Sequence, residues 1–165
     1  MLKFIFRKFK EIWFRLCCFI YNQVIVHPMT KAIYVEYADV LNKKFKGKPY
    51  SMLDIGTGTG LPLKEFMKTS NASKVDGIDI DRAYVSMAQK LFEGDKRVNC
   101  QYADWFEFAA RKNPQKYDIV FFGFSIMLMP NRMKVIADFM GSLGVVVDFA
   151  LIFSQFSKFF NFLMF

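Results

Sequence analysis

From Tyr50 onward the chain alternates short apolar runs with amphipathic stretches. Runs of strand length lie at 51–55, 74–80, 98–102 and 117–122, with turn-forming Gly, Pro, Asn or Asp residues between them. Between these runs, 61–69, 82–92 and 105–111 repeat apolar residues at helical spacing. A further helix is expected over 131–140 and a fifth strand over 144–153. Such alternation predicts a parallel sheet joined by right-handed crossovers. The mostly apolar strands predict a sheet covered on both faces. The fold class expected is α/β, a three-layer sandwich with a mainly parallel sheet of about five strands.

Before Tyr50 the pattern is different. Residues 2–20 place Leu2, Ile5, Phe6, Phe9, Ile12, Trp13, Leu16 and Cys17 on one side of a helix, and Lys3, Arg7, Lys8, Lys10 and Arg15 on the other. His27-Pro28 interrupts, and a second helix is expected over 30–42 with Ile33, Tyr37, Val40 and Leu41 as its apolar side. Residues 43–48 form a basic linker. The organisation expected is therefore a helical basic arm over 1–48, a domain over 49–153 and an apolar tail over 154–165. The apolar run at 13–26 is broken by Arg15, Asn22 and Gln23 and is a poor membrane span. In the Phe-rich end, Asp148 and Lys158 favour a strand and tail over a membrane helix.

Charge sharpens this division. The net charge is +8, but residues 1–50 hold ten Lys/Arg and three Asp/Glu, whereas residues 51–165 hold thirteen and twelve. The excess belongs to the arm, so a nucleic-acid partner is not expected. Two readings of the arm stay open: a helix covering one face of the domain, or one lying on an anionic membrane surface through residues 1–26. Because Glu11 is the only acid before His27, a mitochondrial presequence is an alternative to a cytoplasmic, membrane-associated location. A length of 165 residues and 53% apolar content imply one ordinary core. Cys17, Cys18 and Cys100 have neither disulfide nor metal spacing.

The chemistry is concentrated in the turns. Leu53-Asp54-Ile55-Gly56-Thr57-Gly58-Thr59-Gly60 joins the first strand to the first domain helix. In an open parallel sheet ligands bind at such a turn. Its glycines permit positive φ and close backbone approach, and the helix N-terminus favours a carboxylate. A dinucleotide fingerprint reads G-x-G-x-x-G. Here the glycines fall at 56, 58 and 60, and position 61 is Leu.

With Asp54 two residues ahead, D-x-G-x-G-x-G resembles motif I of the class I S-adenosylmethionine-dependent methyltransferases. Three further segments carry the same resemblance in order: Gly77-Ile78-Asp79-Ile80, Ala103-Asp104-Trp105, and Tyr117-Asp118-Ile119-Val120-Phe121-Phe122-Gly123. The resemblance covers roughly 30–140 and implies a Rossmann-like domain with S-adenosyl-L-methionine as cofactor. It implies that Asp54, Gly56, Thr57, Gly58 and Gly60 hold the turn. It implies that Asp79 takes both ribose hydroxyls and that Ile80 packs on adenine. Asp104 would accept from the adenine amine, with Trp105 offering a flat face or serving as core. Phe122 and Gly123 would face the cofactor and the methyl acceptor. Asp81 is expected to cap the following helix, and Tyr117 and Asp118 to position the fourth strand.

Other chemistries are disfavoured. The only histidine, His27, is remote from Ser125, so a Ser-His-Asp triad is not expected. There is no His/Cys metal cluster and no G-K-[ST] of a P-loop. The segment after the fourth strand lacks Asn/Asp-Pro-Pro-aromatic, which counts against nucleobase amines as acceptors. Methyl transfer to a small-molecule or protein acceptor is expected, with no catalytic base assigned. The alternatives are an inactive cofactor-binding or interaction domain and a nicotinamide-dependent oxidoreductase. The family's sheet has seven strands, and twelve residues after the fifth strand leave no room for a terminal hairpin. A partner that completes the sheet is one expectation from this; a shortened gene product and membrane contact by the tail are the others.

Overall fold

The computed structural model describes residues 27–110, 116–122 and 125, together with positions 12, 13, 16 and 20. Helix α1 spans His27–Lys44, strand β1 Tyr50–Ile55, α2 Leu61–Thr69, β2 Ala72–Asp79, α3 Arg82–Leu91, β3 Val98–Tyr102, α4 Trp105–Ala109 and β4 Ile119–Phe121. The sheet order is β3-β2-β1-β4 and every pairing is parallel. This is the open α/β, Rossmann-like arrangement that the strand–helix alternation predicts. The helix at 131–140, the fifth strand at 144–153 and the tail lie outside the described residues.

Side-chain alternation along the strands divides the core in two. On one face Met52, Val75, Cys100, Ile119 and Phe121 pack against Tyr34, Tyr37, Ala38 and Leu41 of α1 and Leu63 and Phe66 of α2. On the other face Leu53, Ile55, Ile78, Val120 and Phe122 pack with Ala103, Trp105, Phe108 and Tyr117. Asp54 shares the parity of Met52, so its side chain falls on the α1 face.

The apolar side of α1 matches the one expected at Tyr37 and Leu41 and adds Tyr34 and Ala38. Tyr34, Tyr37, Ala38 and Leu41 are buried, whereas Val40 is only partly so. The Phe121 ring selects this side, meeting Tyr34 edge-on at 4.9 Å and stacking on Tyr37 at 4.6 Å. An aromatic contact across the sheet outweighs a small difference in aliphatic periodicity.

Helix starts follow local chemistry. The Asp81 carboxylate accepts from the Ala83 and Tyr84 backbone N–H groups and caps α3. Asp104 does the same for α4 through Phe106 and Glu107. Pro62 sits in the first turn of α2, where no N–H is needed.

Two polar clamps hold β4 in register. The Asp118 carboxylate accepts from both the backbone N–H and the hydroxyl of Ser51, at 2.7 Å each. The Tyr117 hydroxyl donates to buried Asp76 across the second face at 2.7 Å, and Asn99 donates to the other oxygen at 2.9 Å. Tyr117 and Asp118 thus anchor the strand, as their sequence positions suggest.

Candidate cofactor site

The turn after β1 is wrapped around the end of β2. The Gly56 and Thr57 backbone N–H groups both donate to the Ile78 carbonyl, at 2.8 and 3.1 Å. Gly56, Gly58 and Gly60 all have positive φ, of 77°, 57° and 78°. At Gly56 a side chain is excluded twice over: the backbone is left-handed, and a Cβ would overlap Ser125. At Gly58 a Cβ would meet nothing within 4 Å. Open space therefore lies over the middle glycine, and the flanking two are packed.

Two carboxylates converge here. Asp79, partly buried at the end of β2, accepts from the Gly58 backbone N–H at 2.9 Å and from the Asp81 backbone N–H at 2.9 Å, one on each oxygen. Burial raises its pKa, while those bonds from Asp81 and Gly58 oppose the rise. Asp54 is buried, and neither of its oxygens has a hydrogen-bond partner; the Thr57 hydroxyl is also buried and unpartnered. Burial pushes the Asp54 carboxyl up to about 7; Thr57 lowers it, Asp79 raises it and Tyr34 lowers it. Among the described residues no lysine or arginine forms an ion pair with Asp54.

Further along the C-terminal edge of the strands the surface turns apolar. Ile80 is 63% exposed beside Asp79. Tyr102 is paired in register with Asp79 and carries the Arg82 guanidinium 3.8 Å above its ring. Asp104 makes both of its cap bonds through Oδ1. Trp105 is buried in the second-face core, and its neighbour Phe106 presents the exposed ring. Phe122 is buried on that same face. Gly123 lies outside the described residues.

The structure thus brings together Asp54, Gly56, Thr57, Gly58, Gly60 and Asp79, with Ile80 and Asp104 at the following strand ends. Two residues join them that the sequence does not reveal. Tyr34 of α1 is buried against Phe121, the residue paired in register with Asp54, and burial first and then Asp54 raise its pKa. Ser125 donates its hydroxyl to the Ile55 and Phe122 carbonyls, fastening the exit of β4 beneath Gly56. Tyr34 sits among apolar neighbours and reads as core. Ser125 is four residues beyond the end of β4, in a segment without a pattern.

A family model described as a methyltransferase domain matches residues 52–143. The chain belongs to that family. Curated relatives include the polyamine aminopropyltransferase 2 of Caldanaerobacter subterraneus subsp. tengcongensis, 29% identical over 105 residues, covering 61% of this chain and 31% of that one. The tRNA1(Val) (adenine(37)-N6)-methyltransferase of Christiangramia forsetii is 35% identical over 77 residues, covering 44% and 32%. The chain spans about a third of the length of these relatives. Among solved structures, the plantazolicin methyltransferase BpumL in complex with SAH superposes with a TM-score of 0.60 at 23% identity, over 76% of this chain and 46% of that one. That likeness shows the shared fold.

Proposed function

We propose that the chain binds S-adenosylmethionine at the turn between β1 and α2 and transfers its methyl group to a small-molecule or protein acceptor. One observation carries the reading: Asp54 Oδ1, Asp54 Oδ2 and Thr57 Oγ1 are buried without partners beside the open space at Gly58. Buried polar groups are normally satisfied, so an orphaned set at a ligand-binding strand end implies a ligand that supplies donors. The residues present fit the amino-acid end of the cofactor, whose ammonium supplies those donors. Each Asp79 oxygen already accepts one N–H and retains a second lone pair for a ribose hydroxyl. Ile80 offers an apolar surface to the adenine ring, and Asp104 Oδ2 remains for its amine.

When bound, the cofactor would supply an electrophilic methyl carbon on a sulfonium, and the turn residues Asp54, Thr57 and Gly58 with Asp79 would hold it. The protein's part is orientation and exclusion of water. The buried Asp54 and the partly buried Asp79 give the site a negative field suited to a cationic ligand.

A second reading, transfer of an aminopropyl group, draws on the curated relatives named polyamine aminopropyltransferase. Among the described residues no cation is ion-paired with Asp54, which suits either donor. Nucleobase acceptors are favoured less, because 122–130 lacks the Asn/Asp-Pro-Pro-aromatic segment despite the tRNA methyltransferase relative. Residues 1–26 are read as a membrane-surface segment: Ile12, Trp13, Leu16 and Ile20 are helical and 47–64% exposed.

Ultraviolet crosslinking with methyl-labelled S-adenosylmethionine, followed by peptide mapping, tests the assignment. Label is expected in the peptide that contains Asp54–Gly60. Label confined to other peptides, or none displaced by unlabelled cofactor, overturns it.

A further inference from the structure

Four residues stand in register across the sheet at the level of the glycine turn: Phe121 of β4, Asp54 of β1, Gly77 of β2 and Cys100 of β3. Registered neighbours in a parallel sheet point to the same face, here the α1 face that buries Phe121 and Cys100. At Gly77 the place of the missing side chain is taken by Thr57, which folds over it from the turn. A Cβ on Gly77 would lie 3.0 Å from Thr57 Oγ1 and 3.2 Å from both its Cβ and its Cγ2. Gly56, Gly58 and Gly60 need a left-handed backbone, whereas the need for glycine at 77 is steric.

Thr57 cannot back away by itself. Its backbone N–H donates to the Ile78 carbonyl at 3.1 Å, and its carbonyl accepts from the Gly60 N–H at 3.1 Å. The residues on either side are tied to β2 as well: the Gly56 N–H to the Ile78 carbonyl at 2.8 Å, and the Gly58 N–H to the Asp79 carboxylate at 2.9 Å. The depth at which the turn sits on β2 is therefore set by the notch at Gly77. Thr57 seated there is buried, and its Oγ1 has no partner, like both oxygens of Asp54 at the adjacent register position. We infer that Gly77 is a positioning residue of the cofactor site: its notch seats Thr57 beside Asp54, so that hydroxyl and carboxylate together receive the ammonium of the cofactor's amino-acid end. The inference rests on the cofactor reading above and divides recognition of the ligand between two places. Contacts of the adenosine end with Asp79 and Ile80 do not pass through the notch, because Asp79 is also held by the Asp81 backbone N–H at 2.9 Å.

Calorimetric titration of the full chain with S-adenosylhomocysteine and with 5′-methylthioadenosine, which lacks the amino-acid end, reads this division. Gly77→Ala should weaken S-adenosylhomocysteine binding by about tenfold or more, the scale of a hydrogen bond to a charged group. Its affinity for 5′-methylthioadenosine should change by less than about threefold. Thr57→Val still fills the notch but lacks the hydroxyl, so it should reproduce the selective loss without crowding. A merely structural glycine would lower the melting temperature without changing the ratio of the two affinities. Where Gly77→Ala folds poorly, the Gly77→Ala/Thr57→Ala double variant, which removes Oγ1 and Cγ2 from the contact, should recover a cooperative melt. An unchanged affinity ratio in Gly77→Ala, a Thr57→Val protein that binds S-adenosylhomocysteine like the parent, or a double variant that recovers nothing overturns the inference and leaves the cofactor reading intact. A parent protein that binds neither ligand overturns both.

Discussion

Asp79 accepts the backbone N–H of Gly58 at 2.9 Å, so the carboxylate at the end of β2 fixes the middle of the glycine turn after β1. One residue thus shapes the turn and, with its remaining lone pairs, faces the ligand space. Asp79→Ala removes both functions. Cofactor affinity should fall by about 1.5–3 kcal/mol, the range for hydrogen bonds to charged groups. Calorimetry with S-adenosylhomocysteine checks this, and unchanged affinity would move the ribose contact elsewhere.

The turn glycines should respond differently to alanine. Gly56→Ala combines a left-handed backbone with overlap on Ser125. The strain alone is worth about 1–2 kcal/mol, and overpacking adds about 1–3 kcal/mol. Gly58→Ala meets no neighbour and should lose only the backbone term, about 1–2 kcal/mol. Its added methyl group would nevertheless occupy the ligand space and weaken cofactor binding. Urea denaturation and ligand titration of both variants separate stability from binding. Equal destabilisation by the two substitutions would count against the packing described.

Tyr117 has a structural role only. Tyr117→Phe takes one of the hydrogen bonds from buried Asp76 and leaves the Asn99 bond in place. A loss of about 1–3 kcal/mol in folding stability is expected, with cofactor affinity unchanged. A change in affinity at constant stability would place Tyr117 in the site.

Asp54 also sets a pH dependence of folding. Its carboxyl is raised to about 7 in the folded chain from an ordinary value of 3.8. The folded state therefore binds more protons than the unfolded state between these values. The stabilisation is complete below the unfolded pKa and is lost as pH rises towards 7. Chemical denaturation of the ligand-free protein should show stability from this group declining from pH 4 to 7, by up to a few kcal/mol. Asp54→Asn should flatten the decline.

Much of this site can be read along the chain because its signals are local. The strand at 98–102 and the helix at 61–69 have the boundaries their periodicity predicts. Asp81 caps α3, as an acid just before a helix should. Glycine spacing and strand-end acids lie within a few residues of the structures they form. Tyr34 is the opposite case. It stands twenty residues from Asp54 in sequence, and its burial depends on Phe121, which arrives from the far edge of the described sheet. Trp105 and Phe106 show a finer limit. Composition marks both as aromatic, but only the phase of the short α4 helix decides which one is buried.

The central claim is that the turn from Gly56 to Gly60 serves an adenosyl sulfonium cofactor and not a dinucleotide. Parallel calorimetric titrations of the same protein with S-adenosylmethionine and with NAD test it most directly. Saturable binding of S-adenosylmethionine at one site per chain, weakened in Asp79→Ala, and no binding of NAD are expected. Saturable NAD binding without S-adenosylmethionine binding would contradict it.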